Sequence, residues 1–99
     1  MPYTLKESVL KEIDRIFASE EVKYVRTKLS EKQLPMDRAA PPPRVHIAVI
    51  WLSKGDIKRF DYELDGACCD WRDTLVSAGL AGDDWRAVLE EKGIDCHDW

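Results

Sequence analysis

The sequence contains no long apolar run, no glycine-rich loop and no excess of positive charge. No apolar stretch among its 99 residues approaches the length that spans a bilayer, so we expect no membrane insertion. Its five glycines are scattered, so a phosphate-binding loop is not indicated. The first residues mix charges and lack an apolar secretory segment, which favours a cytoplasmic protein.

Negative charge is concentrated in the second half of the chain. Residues 1 to 38 carry eight Lys or Arg against seven Asp or Glu, whereas residues 44 to 99 carry seven against twelve. An acidic surface repels phosphate backbones, so we expect no binding to nucleic acid. If charge attracts a partner, that partner should be basic.

The three cysteines do not have the spacing of a structural metal site. Cys68, Cys69, Cys96 and His97 are the soft ligands that could be assembled. Zinc sites usually show C-x2-C or H-x3-H spacing, and neighbouring cysteines on a helix diverge by about 100°. We therefore expect no metal and no cofactor, with Cys68 packing as a small apolar side chain and Cys69 and Cys96 having no specific role.

A nucleophile, a base and an acid occur consecutively in Cys96, His97 and Asp98. Consecutive residues in a tail do not easily converge as a hydrogen-bonded triad, so we expect no catalytic residues here. His46 could approach them from an apolar segment, but a lone His beside an apolar face is usually a boundary residue.

Two helices, or one kinked helix, are predicted before residue 34. Thr4 to Glu7 fits a capping box, which would begin a helix at Thr4. The helical spacing of the apolar residues is interrupted near Ser19, which could cap a second helix that ends near Gln33. The apolar residues at helical spacing are Leu5, Val9, Ile13, Ile16 and Phe17, and then Val22, Val25 and Leu29.

Residues 35 to 43 contain four prolines and must interrupt regular structure. We interpret this segment as a stiff connector, within a single domain of residues 1–99, between the N-terminal helices and a C-terminal helical unit. A polyproline ligand is the alternative, but three consecutive prolines are more often a connector.

The apolar residues 45 to 52 are compatible with two structures. They could pair with the alternating Phe60, Tyr62 and Leu64 in a hairpin over residues 45–64, which would give an α+β fold. They could also form a helix that has Pro43 at its first position, N1, and is closed by Gly55.

The pattern of residues 56 to 75 favours the helical interpretation. Asp56 is a good N-cap, and apolar residues step by threes and fours from Ile57 through Trp71 to Leu75, a stripe that is hard to obtain by accident. Gly66 is the weak point at which we expect any break or bend.

A final helix is predicted from an N-cap at Asp83 to Gly93, with Trp85, Val88 and Leu89 facing inward. The tail, residues 94–99, is short and polar apart from its ends. We expect it to fray.

The phrase D-W-R-x-x-L-x-x-x-G-[LI] occurs twice, at residues 70–80 and, fourteen residues later, at residues 84–94. Because the apolar stripe runs through Asp70, we expect Asp70 inside a helix and Asp84 in a first helical turn, so the copies should not be equivalent. Trp and Arg are enriched in binding hot spots, although a Trp at helical spacing with Leu is more often a core residue. The interaction candidates are therefore Trp71, Arg72, Asp73, Trp85 and Arg86.

Residues 44 to 80 resemble a pattern in small uncharacterised bacterial proteins, RVxxAVLKLAxGD leading into DYRDLLxxAGF. The resemblance implies helices and a bacterial cytosolic setting, and it transfers no catalytic residues. This chain departs from the pattern at Trp51, Gly66, Cys68 and Cys69. The matching residues are Arg44-Val45-x-x-Ala48-Val49-Ile50-x-Leu52-x-x-Gly55-Asp56 and Ala67-x-x-Asp70-Trp71-Arg72-Asp73-x-Leu75-x-x-Ala78-Gly79-Leu80.

The sequence therefore predicts an all-α bundle of four to five helices. Its predicted function is a non-enzymatic protein-interaction or regulatory module that binds an unknown protein partner or a second copy of itself. The alternative is a small metal-dependent enzyme or regulator that uses the Cys and His ligands.

Overall fold

The computed structural model describes residues 3–34 and 42–99, and the regular structure of these ranges is entirely helical. The all-α prediction is confirmed, with five helices in the described ranges, and the hairpin alternative for residues 45–64 is wrong. None of the described helices is long and apolar enough to cross a membrane. The helices are α1 (Glu7–Ile16), α2 (Ser19–Glu31), α3 (Pro42–Ser53), α4 (Ile57–Ala78) and α5 (Trp85–Glu91).

Helix α3 lies at the centre of the fold. It packs against α4 and α1, and α2 packs against both α1 and α4. Every residue from Val45 to Ile50 is buried. A helix that is covered on all sides needs no polar face, which explains why this segment is a continuous apolar run.

One apolar core joins the helices and extends into the tail. The fold measures 35 × 28 × 25 Å along its principal axes, so the two N-terminal helices pack directly on the C-terminal ones. Residues 35–41 of the Pro-rich connector lie outside the described residues, and α3 begins at Pro42. The core includes Val9, Ile13, Val25, Leu29, Ile47, Val49, Phe60, Leu64, Leu75, Leu80, Leu89, Ile94 and Cys96.

Helix α1 begins at Glu7, so the capping box that would start it at Thr4 is wrong. No side-chain hydrogen bond caps its N-terminus. The segment before it is instead held against the end of α2. The backbone N–H of Tyr3 donates to the carbonyl of Ser30 at 2.7 Å, and the Tyr3 hydroxyl accepts from the N–H of Leu34 at 3.1 Å. Tertiary hydrogen bonds thus override a local capping signal.

The chain forms two separate helices here rather than one kinked helix, because Phe17 and Ala18 are extended. Ser19 is the first residue of α2 and Ala18 is its N-cap, so the predicted cap is one position too late. The helix ends at Glu31, two residues before the predicted Gln33.

The turn between α3 and α4 forms as the sequence predicts. Gly55 has φ +82°, and a Cβ atom there would lie 2.9 Å from the carbonyl oxygen of Ile16, so only glycine fits. The Asp56 carboxylate then accepts a hydrogen bond from the N–H of Lys58 at 3.1 Å and caps α4.

Helix α4 is kinked at Asp70 and not at Gly66. Asp70 has non-helical dihedral angles of φ −151° and ψ 86°, whereas Gly66 stays within the helix. The Asp70 side chain accepts a hydrogen bond from the N–H of Asp73 at 3.3 Å. Asp competes well for such local bonds, so Asp70 ends one helical segment and caps the next.

Helix α5 is capped by Asp84, one residue after the predicted Asp83, and Gly93 follows its end with φ +80°. The expectation that the tail frays is wrong in the structure. Ile94 and Cys96 are buried, and Trp99 packs against the core. Burial of these apolar side chains stabilises the docking of the tail on the core.

Candidate functional site

The two D-W-R copies start differently, as expected, although in both the Asp precedes a helical segment. Asp70 lies inside α4, at its kink, with φ −151° and ψ 86°, whereas Asp84 is the N-cap of α5 with φ −89° and ψ 13°. Helix α5 begins at Trp85, so Asp84 precedes the first turn in which it was expected. The Asp70 carboxylate makes a side-chain capping bond, and the Asp84 carboxylate makes none.

The two copies end in the same way. The N–H of Leu80 donates to the carbonyl of Leu75, and the N–H of Ile94 donates to the carbonyl of Leu89, both at 2.9 Å. The glycine before each of these donors has φ near +80°. Both ends therefore follow the glycine-terminated pattern in which one residue in the left-handed region satisfies the last carbonyls.

In each copy the Arg lies over the ring of the preceding Trp. The distance from the guanidinium carbon to the ring centroid is 5.1 Å for Arg72 on Trp71 and 4.4 Å for Arg86 on Trp85. Both tryptophans are half-buried against the core. The prediction that Trp71 is fully in the core is therefore only partly correct.

The second copy is enclosed by the rest of the molecule. The Trp85 ring also contacts the buried Arg44 guanidinium at 4.8 Å and stacks near Trp99 with a centroid separation of 6.3 Å. Arg86 donates hydrogen bonds of 2.8 Å to the carbonyl oxygens of Cys96 and Trp99. Trp85 and Arg86 thus fasten the tail to the fold.

Arg44 is a second buried anchor in this region. Its Nε atom donates to the carbonyl oxygen of Leu80 at 2.8 Å. Burial lowers the pKa of Arg44 from its ordinary value, and the charge of Asp83 partly opposes this change. The carbonyl and the Trp85 ring compensate for the water that the guanidinium loses.

The first copy borders a groove between α3 and α4, which we call the α3–α4 groove. Its volume is about 310 Å³. Asp73, an interaction candidate from the sequence, is exposed at this groove, whereas the other four candidates do not line it. The lining consists of Leu52 from α3 and of Tyr62, Glu63, Asp65, Gly66, Cys69, Asp73, Thr74 and Ser77 from α4.

Exposed residues follow the solvent side of α4 at steps of four and three. We call these residues, Tyr62, Gly66, Cys69, Asp73 and Val76, the outer face of α4. Such steps keep side chains on one face of each helical segment of α4, Tyr62 to Cys69 before the kink at Asp70 and Asp73 to Val76 after it. Tyr62 is 74% exposed and Val76 is 65% exposed, and they are the two most exposed large hydrophobic side chains of the described residues. The outer face therefore places apolar surface in water.

A second cavity, the α1–tail cleft, lies between α1 and residues 92–98 and has a volume of about 350 Å³. Its charges are mostly paired with one another. Salt bridges join Lys6 to Asp98 at 3.3 Å, Lys11 to Glu7 at 3.6 Å and Arg15 to Glu12 at 2.7 Å.

Glu12 lies at the base of this cleft and is nearly buried. It accepts two hydrogen bonds from Arg15, at 2.7 and 2.8 Å, and one from the Trp51 indole at 2.6 Å. Burial alone would raise the pKa of Glu12, but these hydrogen bonds outweigh it and leave the pKa below its usual range. The arrangement locks α1 to α3.

The structure does not assemble the Cys and His candidates. Cys68 is half-buried against the core and Cys69 is exposed on the next position of α4. Cys96 is buried in the tail, where it packs in the core instead of having no specific role. Within residues 3–34 and 42–99, no group of three potential ligands is close enough to hold a metal ion.

The consecutive tail residues do not form a triad either. His97 pairs with Asp95 through Nδ1 at 2.5 Å, and this hydrogen bond raises the pKa of His97. Asp98 pairs with Lys6, and the Cys96 thiol faces the carbonyl of Arg86 at 3.9 Å. The three side chains therefore serve separate contacts.

His46 is buried, so its interpretation as a boundary residue is wrong. It is 2% exposed, and the Tyr3 ring meets it edge-on at 5.3 Å. Neither ring nitrogen has a hydrogen-bond partner in the described part of the chain, and burial lowers its pKa to about 4. His46 is therefore a neutral core residue.

Sequence reasoning missed Glu12, Arg44 and Tyr62. Glu12 and Arg44 are charged residues beside apolar stripes, which is a recognisable signal, but their partners are distant in sequence. Tyr62 was considered only as part of an alternating strand pattern. In a helix of the observed length, the same residue starts the outer face of α4.

Comparison of the chain with protein-family models, with curated proteins and with solved structures finds no match.

Proposed function

We infer that this chain is a non-enzymatic protein-interaction or regulatory module of the bacterial cytosol, and that it binds its partner through the outer face of α4. The observation that carries this proposal is the exposure of Tyr62 and Val76 on α4, where Tyr62 also lines the α3–α4 groove. A large aromatic side chain held in water costs free energy that a bound partner recovers.

The chemistry around the groove supports binding more than reaction. Hot spots in protein interfaces combine an aromatic anchor with a polar rim. Here Tyr62 shares the groove with Leu52 and with the carboxylates of Glu63 and Asp73. The second D-W-R copy leaves less side-chain surface for a partner, because Trp85 and Arg86 already contact the tail.

Photocrosslinking in native cells tests this proposal. A photoreactive benzoylphenylalanine in place of Tyr62 keeps an aromatic ring at the exposed position. We expect one discrete adduct, either with another protein or with a second copy of the chain. The same residue in place of the exposed Ala87 on α5 should give no such adduct.

A pair of matched variants then tests the surface. Val76→Asp places a charge on the outer face of α4 and should abolish the adduct, whereas Ala87→Asp places the same charge on α5 and should leave it intact. Circular dichroism checks that both variants remain folded. Absence of any adduct at position 62, or an adduct that Val76→Asp does not change, contradicts the proposal.

A further inference from the structure

The described lining of the α3–α4 groove is negatively charged. Among residues 3–34 and 42–99, this lining includes the carboxylates of Glu63, Asp65 and Asp73 but no Lys, Arg or His. Asp65 is balanced by Lys32 at 3.3 Å. Glu63 and Asp73 have no ion-pair partner among the described residues, so two negative charges remain available at the groove.

The α1–tail cleft shows that this imbalance is specific to the groove. There, lysine and arginine side chains are paired with carboxylates of the same cleft, as in the salt bridges of Lys6 with Asp98 and of Arg15 with Glu12. A cleft of one charge sign concentrates its field and attracts the opposite charge, whereas a balanced cleft does not.

The charge argues against a second copy as the occupant. In a two-fold symmetric dimer the same surface meets itself, so Glu63 and Asp73 of one copy would lie near the carboxylates of the other. Like charges brought together at an interface weaken it. The occupant should therefore carry positive charge.

The shape of the groove favours arginine among the cationic side chains. Leu52 offers apolar surface for an aliphatic stem, and at Gly66 an added Cβ would meet no atom within 4 Å, so the groove is open there. The exposed Tyr62 ring offers a face for stacking. A guanidinium combines such stacking with paired hydrogen bonds to a carboxylate, which an ammonium cannot do.

We propose that the α3–α4 groove binds an arginine side chain from a basic segment of a partner protein. The arginine stem packs on Leu52, and its guanidinium lies against Tyr62 and donates to the Glu63 carboxylate. Asp73, about three turns farther along α4, attracts the remaining positive charge of the segment. This assignment rests on the proposed function, because it names the partner chemistry for the same surface.

Nuclear magnetic resonance titration of the isotope-labelled full chain tests the assignment. The probe is a short alanine- and lysine-containing peptide with one central arginine, and the matched peptide carries citrulline at that position, which keeps the shape and removes the charge. We expect shifts confined to residues 52 and 62–77, and at least tenfold weaker binding of the citrulline peptide.

Two double variants of equal charge complete the test. Glu63→Gln with Asp73→Asn should weaken binding of the arginine peptide at least tenfold. Glu90→Gln with Glu91→Gln removes two exposed charges from α5 and should change binding less than twofold. Equal binding of the two peptides, equal losses in the two variants, or shifts spread over the whole surface would overturn the assignment.

The outcomes also separate this assignment from the proposed function. If the adduct at position 62 forms but the arginine peptide does not bind, the interaction surface stands and the occupant is wrong. If that adduct joins two copies of the chain, the occupant is a second copy. If neither the adduct nor peptide binding is seen, the proposed function fails as well.

Discussion

The two D-W-R copies share several local features but have different surroundings. Each has an Asp before a helical segment, places Arg over Trp, buries a Leu and ends with a glycine at positive φ. The second copy is enclosed by described residues, since Arg44, Trp99 and the tail carbonyls all contact Trp85 or Arg86. The comparison teaches that eleven residues can specify a helix with its ends and still leave open what that helix binds.

The largest difference between the copies should appear when each tryptophan is removed. Trp85→Ala should lower the free energy of unfolding by about 3–5 kcal/mol, because the ring packs against an arginine and a second indole that lose their partner. For Trp71→Ala we expect a loss of about 1–3 kcal/mol, since this ring is also half-buried but, among the described residues, has Arg72 over it and no second arginine or indole. Urea denaturation followed by circular dichroism measures both, and equal losses would refute the proposed difference.

The arginine of the second copy should be needed for docking of the tail. Arg86→Ala removes two hydrogen bonds from a charged donor and should cost about 1.5–3 kcal/mol. Arg86→Lys keeps the charge but loses the fork that reaches both carbonyls, so it should restore only part of this loss. Hydrogen exchange at residues 94–99 should accelerate in the Ala variant, and unchanged protection there would contradict the role of Arg86.

The glycine ends should behave alike in the two copies. Gly79→Ala and Gly93→Ala force an L-residue into the left-handed region and should each cost about 1–2 kcal/mol, because a Cβ atom at either position has open space and only the φ angle is strained. Gly66→Ala is the matched control. Gly66 is helical with open space, so the change should stabilise the protein by about 0.5–1 kcal/mol. Thermal denaturation of the three variants measures these effects, and a loss at Gly66 would contradict its helical assignment.

The smallest losses of stability should come from the capping residues. Asp70→Ala loses a side-chain bond to the N–H of Asp73 and should cost about 1 kcal/mol. Asp84→Ala loses no such bond and should cost at most a few tenths, roughly the residual interaction with the helix dipole. Chemical denaturation distinguishes the two values, and a larger effect at Asp84 would reverse the comparison.

Much of the fold could be predicted because its signals are local. Gly55 closes α3, Asp56 caps α4 and Gly93 follows the end of α5, and in each case a few adjacent residues contain the cause. The errors at Thr4 and Gly66 arose where a distant or competing bond prevailed. Tyr3 forms a hydrogen bond with the end of α2. The Asp70 carboxylate accepts a hydrogen bond from the N–H of Asp73, so α4 kinks at Asp70 and not at Gly66.

The candidate site was only partly accessible from the sequence. Asp73 was singled out and lies at the groove, but Leu52 and Tyr62 were not, because their meeting depends on how α3 packs against α4. The buried state of His46 and the docking of the tail were missed for the same reason. Each results from contacts between residues far apart in the chain.

The sequence by itself determined the helices, because apolar spacing, capping residues and glycines act within one or two turns of backbone. It also determined the excess of negative charge in the second half. The tertiary structure decided which copy of the D-W-R phrase is enclosed, which carboxylates are paired and which side of α4 faces water. These properties depend on packing between distant segments, where burial and hydrogen bonds outweigh local preference.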